Sequence, residues 1–166
     1  KRQGSNTGTG HRGIFANGQV APSTGSYTNH IEYLTISTLG NGETFGDTTV
    51  SRGHTSSMAS RTRCVFSSGY NQNNIMDFIT IASTGNASDF GDNTSSADST
   101  SAAANQIRGL IAGGSSTNTI SYITIAQKGD AADFGDLTRA HNNIAGASSS
   151  VRGVFAGGGA SDVEYN

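Results

Sequence analysis

The chain contains no tryptophan, a single proline (Pro22) and a single cysteine (Cys64). One cysteine excludes an internal disulfide and a thiolate zinc cluster. Charged residues make up only 13% of the 166 positions, about half the usual share, so long salt-bridged helices are not expected. Ten Lys and Arg against twelve Asp and Glu leave no gross electrostatic footprint for nucleic acid. No apolar run approaches the ~18 residues of a membrane-crossing helix. Strong core formers are also scarce: Leu 4, Ile 12, Val 6 and Phe 7. Such a shortage marks disordered chains when net charge is high, but the net charge here is −2. No signal peptide is visible, and a first residue of Lys rather than Met reads as a processed product or a fragment.

What replaces the missing residues is Gly 23, Ser 23, Thr 19 and Asn 14, nearly half the chain. They recur with a period. RGIFANG at 12–18, RCVFSSG at 63–69, RGLIAGG at 108–114 and RGVFAGG at 152–158 carry arginines 51, 45 and 44 residues apart. A second block starts at Ile31, Ile75 and Ile120. A third is ETFGDTT at 43–49, SDFGDNT at 88–94 and ADFGDLT at 132–138. A weaker fourth spans 54–62, 99–107 and 142–150. Val163-Glu164-Tyr165 begins another copy of the second block. The unit is therefore 44–45 residues. It divides the chain into 1–30 (the end of one unit plus a longer loop holding Pro22), 31–74, 75–119, 120–162 and the start of another at 163–166.

Each unit holds four short strand candidates: in the third, Gly109 to Ala112, Ile120 to Ala126, Ala132 to Leu137 and Ile144 to Ala147. The 120–126 stretch alternates with period two and is apolar on both faces, which predicts a strand covered on both sides by stacked sheets. Turn signals every 8–12 residues fit antiparallel meanders. The fold class is all-β. Four-stranded antiparallel units of this length suggest β-propeller blades, with the glycine pairs 113–114 and 157–158 serving either close backbone approach or a bend. Propellers have about four to eight blades. Fewer than four units leave three arrangements: further repeats complete the ring, other copies complete it, or the units form an open array.

In pattern these residues resemble kelch repeats: VFAGG at 154–158, VEY at 163–165, DFGDL at 133–137 and TRAH at 138–141 follow the kelch order. Phe45, Phe90 and Phe134 stand where that family has tryptophan. Gly-Gly is intact in two of four copies, and the late arginine is clear only as Arg52. A closer likeness is to repeats in structural proteins of tailed bacteriophages of marine and cyanobacterial type. Arg152 to Gly158, Ile120 to Ala126, Asn86 to Asp92 and Ala132 to Thr138 carry it. That resemblance implies a non-enzymatic protein of the virion, on a tail, fibre or capsid surface and therefore extracellular.

The search for chemistry agrees with a non-enzymatic reading. His11, His30, His54 and His141 share no repeat position and no metal spacing. Asp47, Asp92 and Asp136 read as turn carboxylates accepting backbone N–H groups; a calcium site helped by Asp89 and Asp133 is the alternative. Arg12, Arg63, Arg108 and Arg152 read as partners of these aspartates, with Arg108 or Arg152 the expected donor. The rival is a cation ring gripping an anionic glycan or phosphate. Cys64, where sister units have glycine, reads as a small buried strand residue. Glu32 and Glu164 fall at one repeat position with Asp77 and Ser121 and look architectural; Glu43 completes the glutamates. No Gly-x-Ser-x-Gly elbow, paired catalytic carboxylates or phosphate loop is present. The sequons at Asn86 and Asn93 arise readily in so Asn-, Ser- and Thr-rich a chain.

The expected function is thus a phage virion structural protein for host-surface adhesion or decoration. No catalytic residue, metal or cofactor is assigned, and binding residues are left open. The expected partners are other virion proteins or further copies of the chain, and a host-surface glycan or protein; neither nucleic acid nor membrane insertion is expected. A cellular or secreted kelch-type interaction scaffold is the alternative. A propeller oxidase or glycosidase is the third class, and it would need a non-repeating cluster of reactive side chains.

Overall fold

The computed structural model describes residues 5–8, 11–20, 22, 25–70, 74–115 and 117–159. They form fourteen strands: β1 (Ser5–Gly8), β2 (Arg12–Ala16), β3 (His30–Thr35), β4 (Glu43–Asp47), β5 (Ser56–Ala59), β6 (Arg63–Ser67), β7 (Ile75–Thr80), β8 (Ser88–Asp92), β9 (Ser101–Ala104), β10 (Arg108–Ala112), β11 (Thr119–Thr124), β12 (Ala132–Asp136), β13 (Ala145–Ser148) and β14 (Gly153–Ala156). The protein is all-β. Three four-stranded antiparallel meanders, β1–β4, β5–β8 and β9–β12, are followed by the two-stranded β13–β14. Among the described residues the sheets do not close into a ring.

The phase of the meander differs from the one the repeat blocks suggest. Ile144 to Ala147 does not complete the third unit. Its strand, β13, pairs with β14 and opens the next sheet, while the third sheet begins with β9. The reason lies in the Ser- and Ala-rich fourth block, which pairs forward across a tight turn with the Arg-led strand that follows it. The copy at Val163-Glu164-Tyr165 lies outside the described residues.

The sheets stack face to face with their first strands in line, β1 beside β5, β5 beside β9 and β9 beside β13. Alternation then delivers apolar side chains to both faces of the middle sheet. Ile14, Ala16, Ile31 and Phe45 of the first sheet pack with Cys64, Phe66, Ile79 and Ile81 of the second. Met58, Val65, Met76 and Phe90 from its other face pack with Ile111, Ile123 and Ile125 of the third. The result is two separate apolar layers, not one continuous core, because a sheet intervenes between them. Cys64 is fully buried, and burial pushes its thiol pKa up, so it is an inert packing residue.

Each Phe-Gly-Asp segment sits at a shift in register. The pairing skips one residue between Ile31/Glu32, Met76/Asp77 and Ile120/Ser121, leaving Phe45, Phe90 and Phe134 as the extra residue of a bulge. The bulge aims the phenylalanine at the next sheet. It also brings backbone against backbone: Gly85 N–H donates to Phe45 O and Ala87 N–H to Asp47 O, each at 2.8 Å. Gly129 and Ala131 do the same to Phe90 and Asp92. Gly91 has φ +140°, and a Cβ there would lie 2.5 Å from the Gly129 carbonyl. Gly135 has a similar φ of +135° but no neighbour within 4 Å of a Cβ.

That pair separates backbone strain from inter-sheet contact. Gly91→Ala and Gly135→Ala both carry a strain of about 1–3 kcal/mol. Gly91→Ala adds an overpacking cost of about 1–3 kcal/mol. Urea unfolding is expected to show the larger loss of stability for Gly91→Ala; equal losses would show that the close approach contributes nothing.

Candidate interaction surface

The repeated arginines do not pair with the repeated aspartates. Arg12, Arg63 and Arg108 pair with threonines and lie over the aromatic ring two residues along the neighbouring strand, at 4.5 Å from the Tyr33 centroid, 4.4 Å from Phe78 and 4.7 Å from Tyr122. Contacts of this kind contribute about 0.5–2 kcal/mol. Beyond the ring, Arg63 Nη1 donates to Ile125 O at 3.0 Å, and Arg12 Nη1 donates to the equivalent carbonyl, Ile81 O. The Arg12 and Arg63 guanidinium groups therefore staple their own sheets to the next. Neither Arg108 nor Arg152 has a carboxylate partner among the described residues, which corrects the expected pairing. The planar guanidinium covers a ring and still has edge N–H groups for a carbonyl. Arg12, Arg63 and Arg108 are each folded onto their own sheet, and Arg108 and Arg152 line a common pocket between the third sheet and β13–β14.

The aspartates act chiefly through their backbone. Asp47 N–H donates to Asn86 Oδ1 at 3.1 Å and Asp92 N–H to Asp130 Oδ1 at 3.0 Å, so the acceptor side chain comes from the next sheet's turn rather than from the Phe-Gly-Asp motif. The Asp47 carboxylate itself stands 3.5 Å from His30 Nδ1, and the Asp133 carboxylate accepts from Gly135 N–H. No group of three or more His, Cys, Asp or Glu side chains is placed to hold a metal ion among the described residues.

Among the described residues the one arginine–carboxylate pair is Arg52–Asp77, both wholly buried at the first inter-sheet boundary. Arg52 also donates to Ile75 O at 2.9 Å, and Thr49 Oγ1 donates to the second Asp77 oxygen. Burial raises the Asp77 pKa, opposed by Arg52; burial lowers that of Arg52, opposed by Asp77. At the next boundary the equivalent residues are Ala97, Ser121 and Thr94, with Thr94 and Ser121 sharing a hydroxyl hydrogen bond. His141, not Arg139, occupies the third Arg52-type place, 44 residues after Ala97. Glu32 holds the Asp77 place on the exposed outer face of the first sheet, 3.8 Å from His30 Nε2.

The glycine pairs do both jobs proposed for them. Gly113 and Gly114 have φ of +66° and +84°, and a Cβ on Gly114 would meet Asp98 O at 2.3 Å. Asn17 and Ser68 hold the same left-handed place as Gly113, and their side chains bond to Thr48 and Asn93. The second glycine donates to the linker that climbs to the next sheet: Gly18 to Arg52 O, Gly69 to Ala97 O and Gly114 to His141 O.

At this same edge lies a cluster that does not repeat. Tyr27, from the long loop, tilts at 47° to Tyr70 with centroids 5.5 Å apart. The His54 ring lies 6.0 Å from Tyr70 and 6.4 Å from Tyr27. His54 Nδ1 contacts Ser99 Oγ at 3.3 Å and stands 3.7 Å from Asp98, while its Nε2 is buried without a partner. Tyr27 lies directly over Gly53, where a Cβ would be 2.4 Å from its ring. In the sequence His54 carries no metal spacing, and Tyr27 and Tyr70 fall at no recurring position. The signal available was their absence from the repeat.

No family model matches the chain, and no curated protein does.

The buried pair makes a sharp test. Arg52→Ala leaves an uncompensated carboxylate and is expected to cost about 3–5 kcal/mol. Arg52→Ala with Asp77→Ser reproduces the neighbouring boundary and should recover most of that loss in urea titrations. A double variant no better than the single one would refute this account of the pair.

Proposed function

We propose that this chain is a non-enzymatic virion component of a tailed bacteriophage, part of a kelch-like propeller or a similar stack displayed on tail, fibre or capsid surface. In this reading its loop edge contacts the host surface. The carrying observation is a division of labour. The repeated Arg, Phe, Gly and Asp positions hold sheet to sheet, whereas the non-repeating Tyr27, His54 and Tyr70 gather where the long loop and inter-sheet linkers meet. Four-stranded meanders with their first strands aligned support blade-like packing. The exposed Tyr70 ring beside the half-buried Tyr27 suits a glycan or protein surface on the host. Other virion proteins and further copies of the chain are the partners within the particle.

Gold-labelled antibody raised against the purified chain is expected to decorate tailed particles in a marine viral concentrate. The fluorescent chain is expected to adsorb to cyanobacterial cells, and the Tyr27→Ala, Tyr70→Ala variant to bind at least about tenfold more weakly. Antibody that marks cell envelopes and no particles would favour a cellular scaffold instead.

A further inference from the structure

We propose that the chain assembles head to tail with a second copy of itself, the outward face of β13–β14 seating on the outward face of β1–β4. This names one of the partners proposed above and rests on the sheet stacking of that reading, not on any host.

The interior boundaries show what each end face is built to meet. At the first boundary, Ile14 and Ala16 pack with Cys64 and Phe66 in one cluster; at the second, Val65 packs with Ile111. At the far end of the stack Val154 and Ala156 hold the places of Ile14 and Ala16. At the near end Gly13 and Phe15 hold those of Cys64 and Phe66. Val154 is 54% exposed and Phe15 39%, while their counterparts Ile14 and Phe66 are fully buried. Ile36 tells the same story: it is 56% exposed, and its equivalents Ile81 and Ile125 are 6% and 0%.

The polar staple repeats the logic. Arg12 donates to Ile81 O and Arg63 to Ile125 O, always one sheet onward. Arg152 is the same donor on the last sheet and Ile36 carries the same acceptor on the first. One layer step therefore brings Val154 to Phe15 and Arg152 to the Ile36 carbonyl of a second copy. Most of the large exposed hydrophobics lie toward the two ends, including Phe15, Ile36, Leu39, Val151 and Val154. The two faces are different surfaces, so the contact is heterologous, closing into a ring or extending as a filament.

The test is the mass of the 166-residue chain by size-exclusion chromatography with light scattering over rising concentration. Wild type is expected to run above one chain mass. Phe15→Asp with Ile36→Asp blocks the near face, and Val154→Asp blocks the far one; each should run as a monomer with an unchanged circular dichroism spectrum. Mixed in equal amounts, the two variants each keep one good face and should form a species of two chains and nothing larger. If an aspartate variant fails to fold, Ile36→Ser and Val154→Ser give the same reading. Wild type at one chain mass throughout, assembly that survives both blocks, or variants that stay monomeric when mixed would overturn the proposal. Cell adsorption through Tyr27 and Tyr70 is read separately, so a monomer that still adsorbs sinks the assembly alone.

Discussion

Everything in this fold depends on how closely one sheet's backbone approaches the next. Hydrogen bonds of 2.8 Å run from the Gly85–Ala87 turn to the Phe45 and Asp47 carbonyls, and from the Gly129–Ala131 turn to Phe90 and Asp92. Such contacts are possible only where a bulge turns the strand's carbonyls outward and glycine removes the side chain between. Once that distance is set, a few large apolar side chains per layer suffice to fill the gap. This is how so few Leu, Ile, Val and Phe make an ordered structure: they are spent at the same strand positions in every layer.

Much of the architecture was legible in the sequence because a repeat exposes its own rules. The 44–45-residue period, the strand alternation around Ile120 to Ala126 and the buried role of Cys64 all follow from position and pattern. The phase of the sheets did not follow, since a Ser- and Ala-rich segment such as Ser101–Ala104 carries little strand signal of its own. Its membership is decided by the tight turn to Arg108. The arginines were misjudged for a physical reason. Opposite charges at matching periods invite pairing, but periodicity gives no information about direction, and Arg12, Arg63 and Arg108 lie against aromatic rings instead. Tyr27, His54 and Tyr70 were illegible for the opposite reason. They come from three separated segments, and only the folded linkers bring them together.

The boundaries also show how a repeat protein varies without breaking. Asn17 with Thr48 and Ser68 with Asn93 are hydrogen-bonded pairs. The third version is Gly113 with Leu137, where a Cβ on the glycine would touch the leucine at 3.6 Å. Arg52 with Asp77 becomes Ala97 with Ser121. In each case both members change together, so that a polar side chain at one position meets a polar one at the other and an apolar residue meets an apolar one or a small hydroxyl.

The difference between the two inner boundaries has a consequence for how such a gene can be edited. A slip in recombination that removed the middle repeat would leave the reading frame and every local motif intact. It would, however, set the Arg52 linker against Ser121 and leave a buried cation with no carboxylate to neutralise it. Layers built on one repeat plan thus carry a chemical address, and their order along the chain is protected at the protein level.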